Sequence, residues 1–101
     1  MVITVTGRHL EITPAIRKHA EERANHLTKY YDLIQEIEIV LDGHDGKDRM
    51  VEMIVNAEHQ LEFISKVSGQ DLYGLIDQAA HKLERQLKDH KERVRNRMHS
   101  S

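Results

Sequence analysis

The sequence predicts an α+β fold: a single β-α-β-β-β-α domain over residues 1–101, with a four-stranded sheet and two helices on one of its faces. Three observations predict it. Four short runs alternate apolar and polar residues with period two. Two longer stretches repeat apolar residues at spacings of three and four, the period of a helix with one buried side. Only one strand face is consistently apolar, so both helices must cover that same face.

The elements follow in order. Met1 to Thr6 is a β-branched run ended by Gly7, with Ile3 and Val5 facing inward. Thr13-Pro14 starts a helix, because threonine caps and proline in the first turn loses no hydrogen bond. Ile16, Ala20, Ala24, Leu27 and Tyr31 mark its buried stripe through about residue 31. Glu36 to Asp42 alternates Ile37, Ile39 and Leu41 with acidic residues, and Arg49 to Ala57 repeats the pattern with Val51, Met53, Val55 and Ala57. Asp45-Gly46 between them is a tight-turn signal. Leu61 to Val67 is a further strand, with Leu61, Phe63, Ser65 and Val67 on its inner face. Ser68-Gly69-Gln70-Asp71 reads as a capping box opening the last helix, on which Leu72, Leu75, Ile76, Ala79, Leu83, Leu87 and Val94 form one stripe. Beyond about residue 96 the end is expected to fray.

This order places Glu36, Glu38, Asp42, Glu52 and Glu62 on the open sheet face, around a small apolar group of Val40, Ile54 and Ile64. Positive charge belongs to the helix side. The formal net charge is -2, yet residues 82–101 carry seven Lys and Arg against three acids, which leaves the preceding part at minus six. A strongly dipolar molecule is expected.

Several function classes are excluded or disfavoured. There is no cysteine, so disulfides, thiolate metal ligands and cysteine nucleophiles are absent. No apolar run approaches the roughly 18 residues of a membrane helix, and no signal peptide is visible, so a cytoplasmic protein without membrane partners is expected. The eight histidines show no ligand spacing. Asp42, Asp45 and Asp48 resemble a calcium loop only superficially, since His44 and Gly46 occupy positions where ligands belong. No nucleophile or isolated carboxylate pair is apparent, so neither an enzyme nor a cofactor or small-molecule substrate is expected.

The candidate site is basic. Lys82, Arg85, Lys88, Lys91, Arg93, Arg95 and Arg97 on the last helix join Arg17, Lys18, Arg23 and Lys29 from the first, with His26 beside Arg23. The bland reading is a solvated face laced with pairs such as Glu84 with Lys88. Two basic helices on one side favour phosphate contact instead, the arginines bidentately and the lysines as point charges. Protonation of His19 and His26 below about pH 6.5 would strengthen that contact. The open face is acidic and lacks aromatic residues, so structured RNA read through its backbone is the expected ligand. A general double-stranded RNA-binding module and an adaptor using the Val40-Ile54-Ile64 patch are the competing readings.

Three stretches then carry a resemblance: Glu11-Ile12-Thr13-Pro14-Ala15-Ile16-Arg17; Gly69-Gln70-Asp71-Leu72-Tyr73 followed by Ile76-Asp77; and Lys82-Leu83-Glu84-Arg85-Gln86-Leu87. Together they resemble the short ribosome hibernation promoting factors and their ribosome-associated inhibitor relatives, over nearly the whole chain. The resemblance implies the same β-α-β-β-β-α fold and a non-catalytic stress protein. Such a protein sits in the channel between ribosomal subunits, contacts small-subunit ribosomal RNA near the decoding centre, and occludes the messenger and transfer RNA sites. It also implies that Lys82, Arg85, Lys88, Lys91, Arg93 and Arg23 take the family's basic positions. His26 stands where relatives often carry lysine, and Asp89 interrupts the basic run. The extra dimerisation domain of long-form members is not expected, which leaves a separate ribosome modulation factor as a further partner where ribosomes pair.

Overall fold

The computed structural model describes residues 1–43 and 48–99. In chain order it contains β1 (Val2–Arg8), α1 (Pro14–His26), a 3-10 turn (Leu27–Lys29), β2 (Ile34–Asp42), β3 (Arg49–Ala57), a second 3-10 turn (Glu58–Gln60), β4 (Leu61–Gly69) and α2 (Leu72–His99). The sheet order is β1-β2-β3-β4, parallel between β1 and β2 and antiparallel elsewhere. The expected fold class is the observed one, and α1 supplies the crossover that a parallel neighbour requires. The expected Asp45-Gly46 turn lies outside the described residues.

The register explains the core. Ile37, Ile39 and Leu41 pair with Val55, Met53 and Val51, and all six are fully buried. Ala20 and Ala24 let α1 approach the sheet closely, and both are 0% exposed. From α2, Leu72, Leu75, Ile76, Ala79, Ala80, Leu83 and Leu87 are buried against the same face. Ser65 is the one buried polar residue of the core among those described, and its hydroxyl donates to the Ala79 carbonyl at 2.8 Å. Tyr31, Phe63 and His90 close the far end with mutually edge-on rings, 5.4 to 6.3 Å between centroids.

Helix starts follow local chemistry. Thr13 is extended and its hydroxyl accepts from Ile16 N–H at 3.2 Å, with Pro14 in the first turn. The start expected at Ser68 is displaced by three residues. Ser68 continues β4 opposite Met50, and Asp71 takes the capping position, its carbonyl accepting from Leu75 N–H at 2.9 Å. Strand pairing extends to Gly69 and so outcompetes the local capping signal.

Three further boundaries and the burial of two valines differ from expectation. β1 runs past Gly7 to Arg8, because its pairing with β2 continues to Asp42. α1 ends at His26, and the 3-10 turn carries its stripe to Leu27. Val40 belongs to the open face by register but is only 3% exposed, covered by its neighbours. α2 continues to His99 rather than fraying near residue 96. Its last turns extend beyond the core, so Val94, expected in the buried stripe, is 42% exposed. This overhang stretches the molecule to 54 × 23 × 20 Å.

Gly43 closes the end of β2. Its N–H donates to the Arg8 carbonyl at 2.8 Å, and a Cβ there would lie 2.3 Å from the His9 carbonyl oxygen. Gly43→Ala is therefore expected to destabilise by forcing backbone apart. Leu83→Ala should cost about 2–5 kcal/mol by leaving a cavity. Thr13→Ala should cost about 1 kcal/mol by removing the cap. Urea unfolding monitored by circular dichroism measures all three; a Leu83→Ala loss no larger than that of Thr13→Ala would contradict the packing described.

Candidate nucleic-acid interface

Charge is divided between the two sides of the sheet. Alternation puts Glu36, Glu38, Asp42, Glu52 and Glu62 on the open face, where Arg8 and Lys66 are the only cations among the described strand residues. The two helices and the turn after α1 carry eleven Lys and Arg against six acids.

The helices meet along a polar seam. Asp77 and Glu84, seven residues apart on one flank of α2, both face α1. Nε2 of His19 lies 2.8 Å from Asp77 Oδ1, and Nε of Arg23 lies 3.2 Å from the same oxygen. The Arg23 contact is an ion pair by distance only, since its buried Nε–H is not aimed to form a hydrogen bond. One heptad further on, the Tyr30 hydroxyl donates to Glu84. Its oxygen is then left to accept from His26, whose Nε2 is 3.3 Å away. Lys88 completes the cluster, 3.2 Å from Glu84 Oε1 and 4.9 Å above the Tyr30 ring. Accepting from Tyr30, with Lys88 as a further partner, holds the Glu84 carboxyl below its ordinary pKa despite the opposing effect of burial. Donation to Glu84, reinforced by burial, pushes the Tyr30 phenol up.

Six of the seven Lys and Arg residues of α2 fall into two rows. Lys88, Lys91 and Arg95 join Lys29, Tyr30 and one acid, Glu92, in lining an open groove of ≈ 340 Å³. Lys82 and Arg85 lie on the other flank beside Gln86 and Asp89. That flank overlooks the sheet edge, because Gln86 Nε2 donates to the Ile64 carbonyl of β4 at 2.9 Å. Arg93 belongs to the same flank, its Nε 3.4 Å from the Asp89 carbonyl. Lys29, Lys82, Arg85, Lys91 and Arg95 form no ion pair among the described residues.

The structure thus sorts the expected site residues. It brings Lys29, Lys88, Lys91 and Arg95 together and sets Lys82, Arg85 and Arg93 on a second flank. Arg23 and His26 point into the seam rather than outward, and so does His19, which removes the geometry behind a histidine-phosphate contact. Arg17, about 120° around α1 from Arg23 at 3.6 residues per turn, makes only a loose 4.0 Å pair with Glu21. Lys18 is exposed on α1 and lines neither flank of α2. The expected Glu84–Lys88 pair is present at 3.2 Å, whereas Asp77 and the placing of Glu84 and Tyr30 in a seam between the helices are what sequence reasoning missed. The signal was available: two acids one heptad apart on a helix whose neighbour presents His19, Arg23 and His26.

Among the described residues no group of three or more His, Asp or Glu is arranged to hold a metal ion, and no helix is long and apolar enough to cross a membrane. The model of the Sigma 54 modulation protein / S30EA ribosomal protein family matches residues 3–95. The chain belongs to this family. Among its relatives, the ribosome hibernation promoting factor of Klebsiella oxytoca is 34% identical over 98 residues, covering 94% of this chain and 98% of the relative. The ribosome hibernation promotion factor of Bacillus subtilis is 32% identical over 96 residues, 93% of this chain, and the chain spans 50% of that relative's length. A ribosomal subunit interface protein from Coxiella burnetii has a similar solved structure, with a TM-score of 0.81, 27% identity, and coverage of 91% of this chain and 99% of that one. The hibernation factor family consists of non-enzymatic binding proteins, in keeping with a seam built for structure and a surface built for contact.

The seam has a definite pH signature. Glu84 has a depressed folded pKa, so its contribution is present above the ordinary carboxylate value of about 4.3 and is lost as pH falls through the folded value. Tyr30 has a raised one, so its contribution is present below about 10 and lost as pH rises through the folded value. Tyr30→Phe should therefore reduce stability by a constant amount between about pH 6 and 9, and the difference from the unaltered protein should shrink in acid. Urea midpoints measured from pH 3 to 9 check this; a difference that grows in acid would contradict the hydrogen bond to Glu84.

Proposed function

We propose that the chain is a ribosome-associated translation inhibitor that binds small-subunit ribosomal RNA in the intersubunit channel near the decoding centre. There it occludes the messenger and transfer RNA sites and stabilises idle ribosomes under stress. The observation that carries this reading is the groove where Lys29 meets Lys88, Lys91 and Arg95, three of these four without an ion pair among the described residues, in a chain whose relatives are named for ribosome hibernation. Cations left unneutralised at neighbouring positions suit a phosphate backbone, which releases counterions at each contact. Lys82, Arg85 and Arg93 add contacts on the second flank and Arg17 and Lys18 add them from α1, while Arg23 and His26 hold the seam between the helices.

The acidic open face suits an orientation with the sheet turned away from RNA, because like charge repels the phosphates. The protein acts in the cytoplasm, with a separate ribosome modulation factor as a further partner where ribosomes pair.

Sedimentation of stationary-phase lysate tests the reading. The protein should co-migrate with ribosomes and remain bound at moderate salt. Arg85→Glu with Lys88→Glu should weaken binding and flatten its salt dependence by roughly one unit of slope for each phosphate no longer neutralised. Migration only as free protein would contradict ribosome association and favour an RNA-binding module acting elsewhere.

A further inference from the structure

We infer that the open face of the sheet is a docking surface for an extended, arginine- and lysine-rich segment of another protein, one that carries apolar residues between its cations. That face lies opposite the helices and is independent of whatever they bind.

The register lays out the surface. Glu38, Ile54 and Ile64 form one row across β2, β3 and β4, with Glu36, Asn56 and Glu62 in the row on one side and Val40, Glu52 and Lys66 in the row on the other. The two isoleucines therefore sit among four carboxylates. Ile64 is 44% exposed and Ile54 half-buried, whereas Val40 is covered and does not contribute. An apolar centre with a charged rim is the layout of a protein interface.

The rim is left unneutralised. Glu36, Glu38, Glu52 and Glu62 form no ion pair among the described residues, and even Lys66, directly opposite Glu52, stays outside pairing distance. Like charges this close repel one another. Cationic side chains from a partner would relieve that repulsion, while their methylene stems covered the isoleucines.

Spacing selects the shape of the occupant. Alternate residues of a strand lie about 7 Å apart, so Glu36 and Glu38 match cations two residues apart on an extended chain. The same spread defeats a small ion, since among the described residues no group of acids is arranged to hold a metal. At the β4 edge the Ile64 carbonyl already accepts from Gln86 Nε2 at 2.9 Å, which favours contact across the face over extension of the sheet there.

A fluorescein-labelled peptide, Arg-Leu-Arg-Leu-Arg-Leu-Arg, is the probe, its anisotropy titrated with the full chain at moderate salt. Saturable binding is expected. Glu38→Gln with Glu52→Gln should weaken it about 5- to 10-fold by removing two exposed ion pairs. Ile64→Ser should weaken it about 3- to 10-fold by removing apolar contact. Glu21→Gln with Glu22→Gln deletes the same charge from exposed positions of α1 and should leave peptide affinity unchanged. Circular dichroism checks the fold of each variant. No saturable binding, an equal loss from the α1 pair, or an Ile64→Ser variant that binds like the unaltered protein would overturn the inference, because the face would then be only a diffuse counterion surface. Sedimentation velocity showing self-association that Glu38→Gln with Glu52→Gln abolishes would also overturn it, by giving the face to a second copy. None of these outcomes bears on ribosome binding, which belongs to the helix side.

Discussion

The packing of α2 against the sheet determines the rotation of that helix, and the rotation determines everything the molecule presents. Seven buried side chains, from Leu72 to Leu87, lie on one stripe against the inner sheet face. Burial of each large apolar side chain among them contributes about 1.5–3 kcal/mol before entropy is counted. A surface ion pair contributes at most about 1 kcal/mol. The stripe therefore sets where the flanks point, and the charges occupy the directions left to them.

Within that frame the acids of α2 have distinct tasks. Asp77 and Glu84 turn toward α1, where they meet His19, Arg23 and the Tyr30-His26 pair. They tie the helices together and at the same time turn Arg23 toward an acid. Lys88 is shared, since its ammonium meets both Glu84 and the Tyr30 ring at the edge of the groove. This places a positioned cation beside the unpaired Lys29, Lys91 and Arg95. A positioned charge loses less side-chain entropy on meeting a phosphate than a freely rotating one.

Period-two and period-3.6 patterns made the fold legible, because each strand shows one apolar face and α2 one stripe. Local signals misled where tertiary pairing was stronger. Ser68 offered a cap, but the ladder with Met50 held it in β4 and left Asp71 to start the helix. Val94 continued the stripe in sequence while the sheet beneath it had ended. The candidate site was legible as composition and not as arrangement. Counting cations on α1 and α2 could not reveal that Arg23, His19 and His26 face the seam, because that depends on how two helices rotate against each other. Nor could it separate Lys88, Lys91 and Arg95 from Lys82, Arg85 and Arg93, which follow one another along the chain but diverge around the helix.

The segregation of acid to the strands and base to the helices gives the molecule two electrostatically opposed sides, and the account of binding depends on the helix side meeting RNA. A structure of the protein bound to the ribosome measures this directly. It should place phosphate groups within hydrogen-bonding reach of Lys88, Lys91 and Arg95, with Glu36, Glu38, Glu52 and Glu62 turned away from RNA. Phosphates seated against the sheet face, with α2 open to solvent, would contradict it.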